Sequence, residues 1–250
     1  MRILGVIPAR YASSRFPGKP LADICGKSMI QRVYKRVTAT PVLDHVVVAT
    51  DDERIVAHVN DFGGNCLLTR TDHRNGTSRC LEVVQILEQQ HDYFDVVVNI
   101  QGDEPFIKPA QIEQLAVLFN DENTQIGSLI NRITDTNDLW NSNVVKVVRN
   151  LNGEAIYFSR QPIPFLRDIP ADDWPKKATF YRHMGLYAYR TDILKKINQL
   201  TPTFLEQSEK LEQLCWLENG YNIKLGVTDY SGIGIDSPED LAKLINNPCD

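Results

Sequence analysis

At 250 residues, 42% hydrophobic and 24% charged, the chain has the composition of an ordinary globular protein, long enough for one large domain or a domain with an appended lobe. Its formal net charge of −5 argues against a general nucleic-acid binder, and no apolar run reaches the roughly 18 residues needed to span a membrane. Five cysteines without a CxxC pair, and an N-terminus that runs straight into a strand rather than a signal peptide, set the expectation of reduced thiols in a cytoplasmic protein.

Taken in order, residues 3–7 are an apolar run of strand type. They empty into the loop Pro8-Ala9-Arg10-Tyr11-Ala12-Ser13-Ser14-Arg15-Phe16-Pro17-Gly18-Lys19-Pro20. Met29, Ile30, Val33, Tyr34 and Val37 then recur with helical period. Residues 45–50 read as a second buried strand, followed by a helix through Ile55, Val56, Val59 and Phe62 that stops at Gly63-Gly64. A short strand over 66–69, a loop over 73–79, a helix with Leu81, Val84, Ile86 and Leu87, and a strand over 96–100 complete the alternation. Strands and helices alternating in this way predict an α/β fold with a doubly wound, mainly parallel sheet.

Past about residue 120 the rhythm changes. Strand-like runs at 126–130, 144–148, 155–158 and 184–189 follow with less helix between them, and Pro162, Pro164, Pro170 and Pro175 punctuate a long loop. This predicts a smaller inserted lobe of antiparallel strands over about 126–199, within a single domain whose main sheet draws on about 1–125 and 200–250. A helix is expected over 205–219, ending at Gly220, and a further strand over 223–227.

Three cations, Arg10, Arg15 and Lys19, fall within one small-residue loop at the carboxyl end of the first strand. Such a loop suits a polyphosphate, although Lys19-Pro20 departs from the Walker ending, and a basic surface turn has the same composition. Asp103, in Gln101-Gly102-Asp103-Glu104-Pro105, follows the strand over 96–100 and is placed either to hold Mg²⁺ against phosphate oxygens or to cap a turn. Ser237 and Asp240 explain one another as a helix cap, which leaves Asp236 unexplained. Two acids at strand-to-helix junctions could share one metal.

Together these segments resemble the 3-deoxy-manno-octulosonate (Kdo) cytidylyltransferase family. The resemblance runs from Ile7-Pro8-Ala9-Arg10 through Ala49-Thr50-Asp51-Asp52-Glu53-Arg54-Ile55, Asn99-Ile100-Gln101-Gly102-Asp103-Glu104-Pro105, Asn143-Val144-Val145-Lys146-Val147-Val148, Tyr157-Phe158-Ser159-Arg160, His183-Met184-Gly185-Leu186-Tyr187-Ala188-Tyr189-Arg190 and Leu211-Glu212-Gln213-Leu214 to Ile235-Asp236-Ser237-Pro238-Glu239-Asp240. It implies a Rossmann-like nucleotidyltransferase that joins CTP and Kdo into CMP-Kdo and pyrophosphate for lipopolysaccharide synthesis, with Mg²⁺ as cofactor and a homodimer formed through the second lobe.

By the resemblance, Arg10, Arg15 and Lys19 hold the triphosphate, and Asp103 and Asp236 are the metal ligands. Pro8, Ala9, Gln101 and the loop carrying Arg74, Asn75, Gly76 and Thr77 read ribose and cytosine. Ser159, Arg160, His183, Tyr187, Glu212 and Gln213 line the sugar pocket, with Arg160 suited to the sugar carboxylate. On the residues alone His183 could equally be a core histidine. Glu209, on the expected helix face with Glu212 and Gln213, is read as solvated surface. Tyr187 and Tyr189 are read as facing opposite ways along their strand.

The chain departs from the family at Ser78, where an acid is usual, so that Arg79 is expected to lose a charge partner and the cytosine loop to be held differently. The same reaction on an 8-amino Kdo analogue or a sialic acid is the alternative enzyme, and a CTP-binding module without turnover is the alternative from another class.

Overall fold

Residues Ile3–Ala9 form β1, and six of its seven residues are buried, as befits a strand covered on both faces. The structure, a computed structural model, describes residues 1–12, 16–230, 234–235 and 237–245. The chain divides into two compact units, Met1–Glu113 with Gly232–Asp250, and Gln114–Ser231.

In the first unit β1 is followed by a small hairpin of β2 (Asp23–Ile24) and β3 (Lys27–Ser28), then α1 (Met29–Thr38), β4 (His45–Thr50), α2 (Glu53–Asp61), β5 (Cys66–Leu68), α3 (Gly76–Gln89) and β6 (Val96–Asn99). β1 pairs in parallel with β4 on one side and β6 on the other, and β4 pairs in parallel with β5, giving the order β6-β1-β4-β5. The loops after β1, β4 and β6 therefore open at one carboxyl edge, where α/β sheets take ligands. The predicted core face of α1 is buried, and Ser28 caps its start by accepting from the Gln31 N–H at 3.2 Å.

α4 (Pro109–Val117) leads into the second unit, which contains β7 (Ile126–Arg132), α5 (Thr136–Trp140), β8 (Lys146–Arg149), β9 (Ala155–Ser159), α6 (Trp174–Lys177), β10 (Tyr181–Arg190), α7 (Thr191–Ile197), α8 (Phe204–Glu209), α9 (Glu212–Glu218) and β11 (Ile223–Val227). β10 runs antiparallel to β7 and β8, β8 runs antiparallel to β9, and β11 is parallel to β7. This is the expected set of antiparallel strands. The proline-punctuated loop is anchored by Trp174 and Phe180, which pack with Ile133 and Leu139. The chain then returns to the first unit with α10 (Pro238–Ile245), where Ser237 and Asp240 cap one another.

One expectation fails here. The helix over 205–219 is broken: Lys210 adopts a left-handed conformation (φ 54°, ψ 47°), ending α8 and separating it from α9. Nothing in its composition marks that break, because the residue is a lysine rather than the glycine that such a turn favours. Among the described residues Cys66, Cys80 and Cys215 are free thiols.

The reading of Ser78 also changes. Ser78 completes a capping box at the start of α3: its N–H donates to the Asn75 side chain at 2.9 Å, and its Oγ faces the Asn75 N–H. Arg79 depends on other partners. Its side chain is fully buried, and its guanidinium donates to Asp51 Oδ2 at 2.7 Å and to the Thr69 hydroxyl. An acid at position 78 is therefore not required to hold it.

Substitutions at these neighbouring positions should separate the two roles. Arg79→Met leaves the Asp51 charge poorly solvated and should cost about 3–5 kcal/mol, as removing one member of a buried pair does. Ser78→Ala loses capping contacts and should cost about 1 kcal/mol. Urea unfolding of both variants measures the difference, and equal losses would mean that Ser78 supports Arg79 after all.

Candidate active site

In the first unit the loop after β1 is drawn together at its two ends. Gly18, at φ 72°, donates its N–H to the Tyr11 carbonyl at 2.9 Å. A side chain there would meet the Tyr11 ring at 3.2 Å. The Arg54 guanidinium lies 3.3 Å over the other component of this contact, the Tyr11 ring, while forking onto both carboxylate oxygens of Asp52. Arg54 was not among the predicted site residues, and a lone arginine at the start of a helix carries no signal for such a role.

Lys19, at the loop's end, donates from Nζ to Asp103 Oδ2 at 2.7 Å and to the Ile235 carbonyl at 2.8 Å. The Ile235 N–H in turn donates to the Asp103 carbonyl at 3.1 Å. Glycine is needed at 102 because a Cβ there would sit 2.7 Å from the Pro8 carbonyl oxygen, so the exit from β6 passes directly against the end of β1. Three segments distant in sequence, the loop after β1, the loop after β6 and the start of the C-terminal return, thus meet at one edge. Arg15 and Asp236 lie outside the described residues.

Arg10 donates to the His73 carbonyl. Burial lowers its pKa first, the Arg79 guanidinium lowers it further, and Asp51 works the other way. Two guanidinium groups thus share the field of one carboxylate, a local excess of positive charge beside the 73–79 loop. The loop itself is shaped by His73, whose imidazole contacts Ser78 Oγ at 3.2 Å and the Glu82 carboxylate. Gly76 brings the start of α3 against Asn99 and the Pro8 ring, where a Cβ would stand 3.2 and 3.4 Å away. Pro8, Ala9, Arg10, Lys19, Asn75, Gly76, Gln101 and Asp103 all belong to these carboxyl-edge segments. Arg74 is exposed, and Thr77 is buried beneath the loop.

In the second unit Glu209 is not solvated surface. Its carboxylate accepts from Ser159 Oγ at 2.7 Å and from the Arg160 N–H at 2.9 Å, and its hydrogen bond and charge raise the Tyr157 phenol pKa after burial does. The Arg160 guanidinium donates to the carbonyls of Glu209 at 2.7 Å and Ser142 at 3.0 Å. Beneath it lies a fully buried ammonium: Lys146 donates to the carbonyls of Asn141 (2.9 Å), Val144 (2.6 Å) and Arg160, matching its three N–H groups. Burial is the first cause that lowers the Lys146 pKa, with Glu209 opposing.

His183 contacts Ser128 Oγ at 3.1 Å and stands edge-on to Phe158. Burial pushes its pKa down to about 3, so the ring is neutral near pH 7. Tyr187 is buried against Trp216, and its hydroxyl has no hydrogen-bond partner among the described residues. Burial raises its pKa well above the ordinary value, with Tyr189 and Glu212 adding to the rise. The expectation that Tyr187 and Tyr189 face opposite ways is wrong. Residues two apart share a face of a strand, and these two rings stack at 6.0 Å. Gln213 is buried in the first turn of α9, next to Glu212. Among the described residues no three His, Cys, Asp or Glu side chains gather into a metal cluster.

The family model described as cytidylyltransferase matches residues 4–224. A relative from Parabacteroides distasonis, named 3-deoxy-manno-octulosonate cytidylyltransferase, is 53% identical over 249 residues, covering 98% of this chain and 97% of the relative. A relative of the same name from Bacteroides thetaiotaomicron is 53% identical over 244 residues, with 96% of each chain covered. A solved structure of CMP:2-keto-3-deoxy-manno-octonic acid synthetase complexed with CTP aligns with a TM-score of 0.90 at 41% identity, covering 98% of both chains. Identity at this level across almost the full length places the chain plainly: it belongs to the cytidylyltransferase family, among the 3-deoxy-manno-octulosonate cytidylyltransferases.

Proposed function

We propose that the protein activates Kdo with CTP. The anomeric hydroxyl oxygen of the sugar forms a bond to the α-phosphorus, the bond to the β-phosphate oxygen breaks, the hydroxyl gives up its proton, and CMP-Kdo and pyrophosphate result. The observation that carries this reading is the 2.7 Å contact between Lys19 and Asp103 at the sheet's carboxyl edge. It sets a cation and an oxygen ligand side by side where a triphosphate would lie. Little covalent work falls to the protein in such a transfer, so its contribution is positioning and charge stabilisation.

Each unit supports a part of this reading. In the first, Arg10, Lys19 and, from its place in the sequence, Arg15 would hold the triphosphate, while Pro8, Ala9, Gln101 and the 74–77 loop would hold the nucleoside. In the second, Arg160 would take the sugar carboxylate, and Ser159, His183, Tyr187, Glu212 and Gln213 its hydroxyls. Neutral His183 can exchange hydrogen bonds with a hydroxyl without bringing a charge, and the buried Tyr187 hydroxyl lacks, among the described residues, a partner that a sugar oxygen could supply.

The described donor set fits Mg²⁺ held jointly with substrate, because this ion commonly takes one or two carboxylates and completes its shell with phosphate oxygens and water. Asp103 would hold it, with Asp236 as the second carboxylate. When bound, the ion neutralises phosphate charge and makes a coordinated hydroxyl easier to deprotonate. Lys19, by its position beside Asp103, would hold charge that develops towards the leaving pyrophosphate. We further propose a cytoplasmic homodimer. Exposed Leu151, Ile156 and Val227 on the second unit are apolar surface that a second copy would cover.

The direct test is pyrophosphate release from CTP with Kdo, its 8-amino analogue and a sialic acid. Release with Kdo foremost supports the reading, and CTP binding without release from any of them leaves only a nucleotide-binding module. Lys19→Ala should lower kcat more than it raises the KM for CTP, because the charge is needed most in the transition state. A change confined to KM would assign Lys19 to binding alone.

His183 yields a stability prediction. Its folded pKa, about 3, lies below the ordinary 6.5, so the unfolded chain binds a proton that the folded one refuses. Stability from this group is therefore full above about pH 6.5 and declines as the pH falls towards 3. Urea midpoints of His183→Gln should fall less than those of the wild type between pH 6.5 and about 4.5.

A further inference from the structure

Glu209 and the turn at Lys210 hold both ends of Arg160. The Glu209 carboxylate divides its two oxygens, Oε1 accepting from the Ser159 hydroxyl at 2.7 Å and Oε2 from the Arg160 N–H at 2.9 Å, which fixes the backbone at the end of β9. The Glu209 carbonyl then accepts from Arg160 Nε at 2.7 Å, and the Lys210 carbonyl lies 3.5 Å from Nη2. These carbonyls belong to the last turn of α8, whose continuation is cut off by the left-handed Lys210. Had the helix run on, both carbonyls would have been committed to N–H groups one turn further along. The break releases them, and they meet the guanidinium from one side. Ser142 takes one Nη1 hydrogen at 3.0 Å, and Lys146 holds the Arg160 carbonyl from below.

We infer that Glu209 is a positioning residue for sugar recognition, with the left-handed turn at Lys210 as the second part of the same device. With Nε and one hydrogen on each terminal nitrogen engaged by carbonyls, Arg160 retains one N–H on each terminal nitrogen, the pair that a carboxylate can take in a forked contact. Glu209 and Lys210 aim that pair without touching the sugar. This rests on the reading of Arg160 as the group that meets the Kdo carboxylate.

The test is steady-state kinetics of pyrophosphate release with Glu209→Gln. Glutamine can still accept from the Arg160 N–H, but it removes the negative charge and turns an NH₂ towards the Ser159 hydroxyl, which then has to accept where it donated; the KM for Kdo should rise about tenfold, the loss of one hydrogen bond to a charged group. The KM for CTP should stay as in the wild type. The residual rate with the carboxamide of Kdo, which carries no negative charge, should be the same for variant and wild type.

A second substitution guards against a variant that does not fold. Lys210→Val, strained at a φ of 54°, should also raise the Kdo KM, and Lys210→Gly, at ease there, should bring it back towards wild type. A Kdo KM unmoved in both Glu209→Gln and Lys210→Val overturns the inference, and so does a loss that is equal for Kdo and its carboxamide. A wild type that binds CTP but accepts no Kdo overturns the reading of the activity, and this inference with it.

Discussion

A lysine ammonium held 2.7 Å from the Asp103 carboxylate joins two loops whose residues are 84 positions apart. A parallel sheet makes such a junction possible, because every strand delivers its following loop to one edge. It does not make it specific. Specificity comes from Gly102, which lets the exit of β6 pass against the Pro8 carbonyl, and from Ile235, which bonds to Lys19 through its carbonyl and to Asp103 through its N–H. The charged pair is mostly shielded on the lysine side, which is 13% exposed, so the approach of an anion to this edge meets an ammonium already oriented.

The second unit solves a related problem by other means. A buried lysine is costly unless its donors are met, and Lys146 meets all three with backbone carbonyls. Those carbonyls belong to the segment before β8 and to Arg160, so the cost of burying the charge is offset by fixing two stretches of irregular backbone. Glu209 adds the negative charge, close enough to oppose the effect of burial on Lys146. Within this network the Lys146 ammonium and the Glu209 carboxylate are both satisfied, the condition under which buried polar groups rigidify their surroundings.

How much of this was legible in the sequence depended on whether the signal was local. The runs of valine and isoleucine in β1, β4 and β6 announced buried parallel strands, and the helical spacing of Met29, Ile30, Val33, Tyr34 and Val37 announced α1. Gly102 could be read as a point of close approach because the constraint acts on the residue itself. The break at Lys210 could not, since a lysine in a left-handed turn is imposed by its surroundings. With the helix assumed continuous, Glu209 fell on a solvated face and its part in holding Arg160 was lost. Ser78 shows the opposite failure. The pattern Asn75-x-x-Ser78 carried a capping signal, but attention to the missing acid directed the reading to Arg79, whose partner Asp51 stands 28 residues away. The partner of a buried charge is a tertiary fact, and neighbours in sequence are a poor guide to it.

The nesting of the two units has a consequence for how the chain is made. β1 is the first strand to be synthesised, yet its partners β4 and β6 follow about 40 and 90 residues later. Even then the first unit lacks Ile235 and Leu241, which pack with Ile24, Met29 and Phe16 and come from the end of the chain. The second unit, by contrast, is one uninterrupted stretch. On a ribosome it is complete while the first unit still waits for its last turns. The first unit must therefore persist without that closing contact through the translation of the whole second unit, and the burden of avoiding premature association falls on the apolar surface around Ile24 and Met29.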